Sequence, residues 1–183
     1  MKINFFYKGF WYRLISPSSS AQLGKFYNNS VHSVGSYGLW IFPSYTPSSS
    51  PAVFDTFISY SNDKGAEWTS SNKVQFNNFI VYDHTTAGIE TKTIQYNSDV
   101  QSNYSAYFYN ESSGPTIMNS VIIGNSNSSS NSSITPLGLV IAWDRGELIK
   151  NVTFINFPDA NSVAIGATSI AGVCTYIIFS IIK

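Results

Sequence analysis

Charged side chains are scarce in this chain of 183 residues. They make up 11% of the sequence, and ten basic and ten acidic residues cancel to a net charge of zero. Proteins that bind nucleic acids or anionic membrane surfaces usually carry clusters of Lys and Arg. We therefore expect neither nucleic acid nor an anionic membrane surface as a partner.

Cysteine and histidine are almost absent. Cys174 is the single cysteine, so the chain has no internal disulfide and no cysteine-based metal site. His32 and His84 are the only histidines. We expect no metal site and no cofactor.

Long segments with helical periodicity are also missing. In their place, short stretches rich in β-branched and aromatic residues recur, each followed by a turn with Asp, Asn or Gly. Five such copies begin at Phe26, Phe54, Phe76, Ile117 and Ile149. Phe54 and Phe76 are 22 residues apart, whereas Phe26 and Phe54 are 28 apart. The chain is therefore a repeat protein with a unit of twenty-odd residues.

A unit of this length, built of two or three short strands, predicts a parallel β-helix whose coils stack about 4.8 Å apart. The predicted fold is an all-β, right-handed, single-stranded parallel β-helix of about five coils, incomplete at its ends. Phe54, Phe76, Ile117 and Ile149 should then lie over one another. The copies also share an asparagine, at Asn28, Asn78, Asn119 and Asn151. It indicates either a ladder of side-chain amides or simply the abundance of Asn in the chain.

Three segments are predicted: an N-terminal edge segment at residues 1–20, β-helix repeats at 21–174, and an apolar tail at 175–183. The first residues begin like a signal peptide, but we expect none, because Lys8, Trp11 and Arg13 interrupt the apolar stretch. Residues 163–182 carry no charge and are long enough to span a membrane as a helix. The alternative is a coil that is cut short. We expect the chain to be a piece of a longer protein.

Several motifs together resemble the β-helix region of fibrocystin-like proteins, which also occurs in related hyaluronan-degrading proteins that carry a G8 domain. They are Gly38-Leu39-Trp40-Ile41-Phe42, Asp63-Lys64-Gly65-Ala66-Glu67-Trp68, Ala87-Gly88-Ile89-Glu90 and Lys150-Asn151-Val152-Thr153-Phe154. The resemblance implies a right-handed β-helix in the large ectodomain of a cell-surface protein. The G8 domain, a signal sequence and a cysteine-rich continuation are missing from this chain.

The hyaluronan-degrading relatives make catalysis worth testing. The candidate acids are Asp63, Glu67, Asp83 and Glu90, because they follow the repeated strands and glycoside hydrolysis uses two carboxylates on either side of the scissile bond. Asp63 and Asp83 follow their strands at similar offsets and could share one edge. The alternative is that these residues only end strands and face solvent.

Trp40, Trp68 and Trp143 each lie in or just after the second strand of a copy, so they could form an aromatic ladder for sugar rings. Packing in the core is the alternative. The two histidines are about two coils apart, roughly 10 Å, which is too far for one metal ion.

Glycosylation sequons occur at Asn28, Asn103, Asn110, Asn127, Asn131 and Asn151. Of these, only Asn127 and Asn131, in the serine-rich stretch 124–133, are expected to be accessible.

Three functions remain open at this stage. The first is an extracellular structural or binding module for a glycan or protein ligand, the second is a fragment of a hyaluronidase-like enzyme, and the third is a small remnant anchored in the membrane by residues 163–182.

Overall fold

The computed structural model describes residues 8–15, 18–94, 114–126, 135–142, 147–158 and 162–167. These residues form eleven β-strands and one short 3-10 turn, Ser18–Ser20. The strands are β1 Lys8–Leu14, β2 Tyr27–His32, β3 Tyr37–Pro43, β4 Ala52–Tyr60, β5 Lys64–Ser71, β6 Val74–Tyr82, β7 Ala87–Ile94, β8 Thr116–Ile123, β9 Leu137–Ile141, β10 Leu148–Ile155 and β11 Val163–Ala167.

The strands alternate between two sheets. Sheet A has the order β1-β3-β5-β7-β9-β11, and sheet B has the order β10-β8-β6-β4-β2. Every pair of neighbours is parallel. Each coil therefore contributes one strand to each sheet and returns above its own start. The prediction of a parallel β-helix is confirmed.

The predicted column of core side chains is also confirmed. In sheet B, Phe54 is paired with Phe76, Phe76 with Ile117, and Ile117 with Ile149. The Phe54 and Phe76 rings meet edge to face with centroids 5.9 Å apart, and both residues are fully buried. Such edge-to-face aromatic pairs contribute beyond the area that they bury.

Glycine forms a second column, at the start of the strands in sheet A. Its members, in register from strand to strand, are Gly9, Gly38, Gly65, Gly88 and Gly138. A Cβ atom on Gly88 would lie 2.6 Å from the carbonyl oxygen of Gly138 and 3.0 Å from Cγ2 of Ile122. At this level the neighbouring coil comes too close for any side chain, which explains why glycine recurs in these five strands; the sixth strand, β11, has Ala164 at this position.

A third column consists of residues in the left-handed backbone conformation. In sheet B, Asn28, Thr56, Asn78, Asn119 and Asn151 occupy equivalent positions with φ between 51° and 56°. Asparagine tolerates this conformation better than most residues, which accounts for its recurrence.

The side-chain amides of this column also form a ladder. Nδ2 of Asn78 donates to Asp55 Oδ1, Nδ2 of Asn119 to Asn77 Oδ1, and Nδ2 of Asn151 to Asn119 Oδ1, each over 2.9 Å. The predicted ladder is therefore confirmed in part: Asn151 and Asn119 bond to each other, whereas Asn78 and Asn119 donate to Asp55 and Asn77 of the next column.

Both described ends of the chain add strands to sheet A. Lys8–Leu14, in the predicted edge segment, forms β1, which pairs with β3 at the edge of sheet A. Val163–Ala167 forms β11 and pairs with β9, so a membrane helix that begins at residue 163 is wrong. The rest of that segment, residues 168–182, lies outside the described residues. Within the described ranges, no helix is long and apolar enough to cross a bilayer.

The glycine column predicts a large cost for one added methyl group. Gly88→Ala should lower the free energy of unfolding by about 2 kcal/mol, because overpacking forces the backbone of the neighbouring coil to move. Urea unfolding followed by far-UV circular dichroism measures this change. Gly166→Ala is the matched control, since nothing lies within 4 Å of its added Cβ. It should cost less than about 0.5 kcal/mol. Equal effects at the two glycines would contradict the explanation.

Candidate functional site

The candidate functional site consists of aromatic and charged side chains on the outer face of sheet A. Side chains alternate between the core and solvent along a strand, so residues in register share a face. Trp11, Trp40, Glu67 and Glu90 are in register on β1, β3, β5 and β7. Two aromatic residues therefore lie next to two acids on one outward-facing column.

Four aromatic side chains form what we call the aromatic platform, namely Trp11, Tyr37, Trp40 and Phe42. The Trp40 ring is stacked between Tyr37 and Phe42, with centroids 4.7 Å and 4.4 Å away, and is stacked against Trp11 at 5.5 Å. Trp11 is 44% exposed. The platform thus leaves part of one aromatic side chain, Trp11, exposed to solvent, and an apolar sugar or protein surface can contact it there.

Two cations lie against Trp11. Nζ of Lys8 is 3.8 Å from the Trp11 ring centroid and 4.0 Å from the Trp40 centroid, and the guanidinium of Arg13 is 5.1 Å from Trp11. These distances are typical of cation–π interactions. They hold the rings in place and leave positive charge beside the exposed indole.

A cluster of ion pairs borders the platform, and we call it the ion cluster: Lys64, Glu67, Glu90 and Lys92. Nζ of Lys64 contacts Oε2 of Glu67 at 2.7 Å and also contacts Oε2 of Glu90. Lys92 is 3.4 Å from the same Glu67 oxygen. Burial lowers the pKa of Lys64, but its hydrogen bonds to the two carboxylates and their charges outweigh burial and raise the pKa above its ordinary value. Lys64 therefore stays charged.

Glu67 connects the cluster to the platform. Its side chain is only 1% exposed, and its Oε1 accepts hydrogen bonds from Trp40 Nε1 at 2.9 Å and from the Thr69 hydroxyl at 3.3 Å. The buried carboxylate is thus held by Lys64 on one oxygen and by the indole on the other. This arrangement fixes the orientation of the Trp40 ring.

The four candidate acids separate into two places. Glu67 and Glu90 are neighbours in sheet A and share Lys64. Asp63 and Asp83 lie in the turns before β5 and β7. Oδ1 of Asp63 accepts hydrogen bonds from the hydroxyls of Thr85 and Thr86.

Asp83 makes different contacts. It is 4% exposed and accepts hydrogen bonds from the backbone N–H of Ser126, at 2.7 Å, and from the Ser126 hydroxyl. Asp63 and Asp83 therefore accept hydrogen bonds from different partners, whereas Glu67 and Glu90 share Lys64.

Trp68 does not belong to the site. It is fully buried, and its ring packs 5.0 Å from that of Phe76. It is in register with Ile41, one position beyond Trp40, so it points inward. The prediction that Trp68 binds a ligand is wrong. Trp143 lies outside the described residues. Sequence analysis missed Trp11, whose position in register with Trp40 becomes clear only once β1 is placed in sheet A.

The outer face of sheet B has an aromatic stack of its own. His32 is stacked on Tyr60, and Tyr60 on Tyr82, with centroids 4.7 Å and 4.9 Å apart. Sequence analysis did not single out these tyrosines, although Tyr60 and Tyr82 recur at the 22-residue spacing of the core phenylalanines.

Two sequons also lie on this face. Asn28 and Asn151 are exposed, so the prediction that only Asn127 and Asn131 are accessible is wrong. The sequons at Asn103, Asn110, Asn127 and Asn131 fall outside the described residues.

His84 is buried in the turn before β7, whereas His32 is exposed. Nδ1 of His84 accepts a hydrogen bond from the backbone N–H of Asn62 over 3.3 Å. Burial lowers its pKa to about 4, although hydrogen bonds with backbone and the charges of Asp83 and Asp63 partly oppose the shift. In the part of the chain that the structure describes, no three His, Cys, Asp or Glu residues are close enough to hold a metal ion.

Comparison with known proteins finds relatives that are much longer than this chain. Fibrocystin-L of Homo sapiens and fibrocystin-L of Mus musculus are each 36% identical to it over 190 residues, which cover 91% of this chain and 4% of theirs. Fibrocystin of Canis lupus familiaris is 31% identical over 97 residues, which cover 50% of this chain and 2% of its own. No family model and no solved structure matches the chain.

The ion cluster predicts unequal roles for its two lysines. Lys64→Met should lower the free energy of unfolding by about 3–5 kcal/mol, because it leaves the buried Glu67 carboxylate without its main cation. Lys92→Met is the control, since that side chain is 38% exposed, and it should cost less than about 1 kcal/mol. Urea midpoints measure both changes. Adding Glu67→Gln and Glu90→Gln to Lys64→Met should recover most of the loss, and no recovery would contradict the proposed cause.

His84 predicts a loss of stability in acid. The unfolded chain binds a proton near pH 6.5 and the folded chain only near pH 4. The stabilisation from the neutral imidazole is therefore complete above pH 6.5 and is lost as the pH falls towards 4, by on the order of 3 kcal/mol. Urea unfolding at a series of pH values measures this slope. Carboxylates also titrate in this range. The same pH series is therefore measured on His84→Gln, and its change in the free energy of unfolding is subtracted. Identical slopes would rule out His84 as the cause.

Proposed function

This chain belongs to the fibrocystin-like family, and we propose that it is a β-helical segment of a large extracellular protein that binds glycans through the outer face of sheet A. The chain spans about 4% of the length of the fibrocystin-L relatives. An extracellular location and a ligand are part of the proposal. Its support is the aromatic platform. In this platform Trp40 donates a hydrogen bond to Glu67, and the Trp11 ring, which is stacked against Trp40, is partly exposed to solvent.

Glycan binding suits the chemistry of this face. The apolar faces of sugar rings pack on aromatic rings, and hydroxyl groups around the sugar accept and donate hydrogen bonds. The platform offers the rings, and Arg13 and Lys92 at its border are donors for sugar oxygens. Both are at least partly exposed. Because the rings are already stacked and held, little side-chain entropy is lost on binding.

Binding is better supported than hydrolysis. A retaining or inverting glycosidase needs one carboxyl group to give a proton and another to attack or to activate water. Glu67 is 1% exposed, and both Glu67 and Glu90 contact Lys64. Their negative charge is compensated inside the protein. The hyaluronidase-like function therefore remains the alternative, and the binding experiment includes a test for it.

Isothermal titration calorimetry tests the proposal, because it measures sugar binding equally well in a variant that lacks Trp11. The full chain is titrated with a panel of soluble polysaccharides, hyaluronan included. We expect at least one to bind saturably and Trp11→Ala to weaken that binding by tenfold or more. The matched control is Tyr27→Ala, which removes an aromatic ring that is 54% exposed on sheet B. It should leave the affinity unchanged.

Two outcomes would overturn the proposal. If no polysaccharide binds, or if Tyr27→Ala weakens binding as much as Trp11→Ala, the aromatic platform is not a glycan site. Sizing each polysaccharide after prolonged incubation tests the enzyme alternative. If the wild-type chain shortens a polysaccharide and the variants Glu67→Gln, Glu90→Gln and Asp83→Asn do not, the function is hydrolysis and not binding.

A further inference from the structure

Two sequons lie on either side of the three middle strands of sheet B. Asn28 is in β2 and Asn151 is in β10, the first and last of the five strands that the structure describes in that sheet. Both asparagines are exposed and both belong to the left-handed column. In each sequon the hydroxyl residue is two positions further along, at Ser30 and Thr153. These residues are exposed as well.

The strands between them carry aliphatic residues instead. The positions in register with Ser30 and Thr153 are Ile58 in β4, Ile80 in β6 and Val121 in β8. Thus the acceptor hydroxyl occurs on β2 and β10, and an apolar side chain occurs on every strand in between.

An apolar surface therefore covers the middle of this face. Ile58 and Ile80 are 37% and 40% exposed, and Ile155 is 44% exposed. The next column contains the stacked rings of Tyr60 and Tyr82. Neither column contains Lys, Arg, Asp or Glu. Surfaces of this kind tend to associate unless something covers them.

We propose that Asn28 and Asn151 are N-glycosylated and that the two glycans cover this apolar face of sheet B. The inference rests on the extracellular location proposed above. The donor is an oligosaccharide linked to a lipid diphosphate. The side-chain Nδ2 bonds to the anomeric carbon of the sugar, the bond from that carbon to the diphosphate oxygen breaks, and one proton leaves the nitrogen.

The amide ladder is compatible with this modification. Nδ2 of Asn151 carries two hydrogens, and one of them is donated to Asn119 Oδ1. The sugar replaces the other hydrogen, so the glycosylated nitrogen still donates to the ladder.

The geometry also suits coverage from both sides. Sheet B has β4, β6 and β8 between the two modified strands, so four strand spacings of about 4.8 Å place the attachment points roughly 19 Å apart. N-linked glycans are bulky and solubilising, and one on each side reaches over the strands between. The ligand-binding face on sheet A is left uncovered.

Site occupancy is the first test. The full chain is expressed behind a cleavable secretion signal in cultured animal cells and is treated with peptide N-glycosidase in heavy-oxygen water. Peptide mass spectrometry should find the heavy-oxygen label at residues 28 and 151. Ser30→Asn and Thr153→Asn should each abolish the label at their own site, because they remove the acceptor hydroxyl and keep the modified asparagine. Secreted, folded protein that lacks the label at residue 28 or at residue 151 would overturn the proposal.

Shielding is the second test. We expect the glycosylated chain to be monomeric by sedimentation velocity, and the double variant Ser30→Asn with Thr153→Asn to roughly double its weight-average mass at the same concentration. Adding Ile80→Asp to that variant should restore the monomer, since it places a charge in the exposed apolar column. A double variant that stays monomeric would refute the shielding role. Glycan binding by sheet A is measured separately, on bacterial protein without glycans, so the failure of one proposal does not affect the other.

Discussion

The close and constant distance between neighbouring coils determines most of this structure. Every strand is hydrogen-bonded to the equivalent strand of the next coil, at the spacing of a β-sheet. At the start of the sheet A strands that spacing leaves no room for a Cβ atom, so Gly38, Gly65 and Gly88 recur there. The same spacing brings Phe54 over Phe76 and the amide of Asn151 to that of Asn119. Core, backbone and surface ladder thus follow from one repeat distance.

The repeat itself could be predicted from the sequence, because each copy begins with a large apolar residue that has to meet its equivalents in the core. Phe54, Phe76, Ile117 and Ile149 therefore identified the stack. The left-handed backbone conformation of the repeated asparagines could not be predicted, since Asn also occurs in turns and on exposed surfaces. Thr56 has the same conformation at the equivalent position, so residue type alone does not specify it.

The candidate site was harder to predict than the fold. A shift of one residue along a strand moves a side chain from solvent to core, and Trp40 and Trp68 differ by such a shift. Asp63 and Asp83 follow their strands at similar offsets, but the turn after Asp83 is longer before β7 begins than the turn after Asp63 is before β5. The two aspartates therefore have different hydrogen-bond partners, Thr85 and Thr86 for Asp63 and Ser126 for Asp83, and counting from the preceding strands could not identify these partners.

The alternation of strands between two sheets also determines how the segment bears load. In the described part of the chain, each strand is hydrogen-bonded to the equivalent strands of the coils directly before and after it, and these bonds run along the axis of the stack. A force applied along that axis therefore acts on all the junctions between coils in series. The strength of the whole segment is then that of its weakest junction, however well the others are packed.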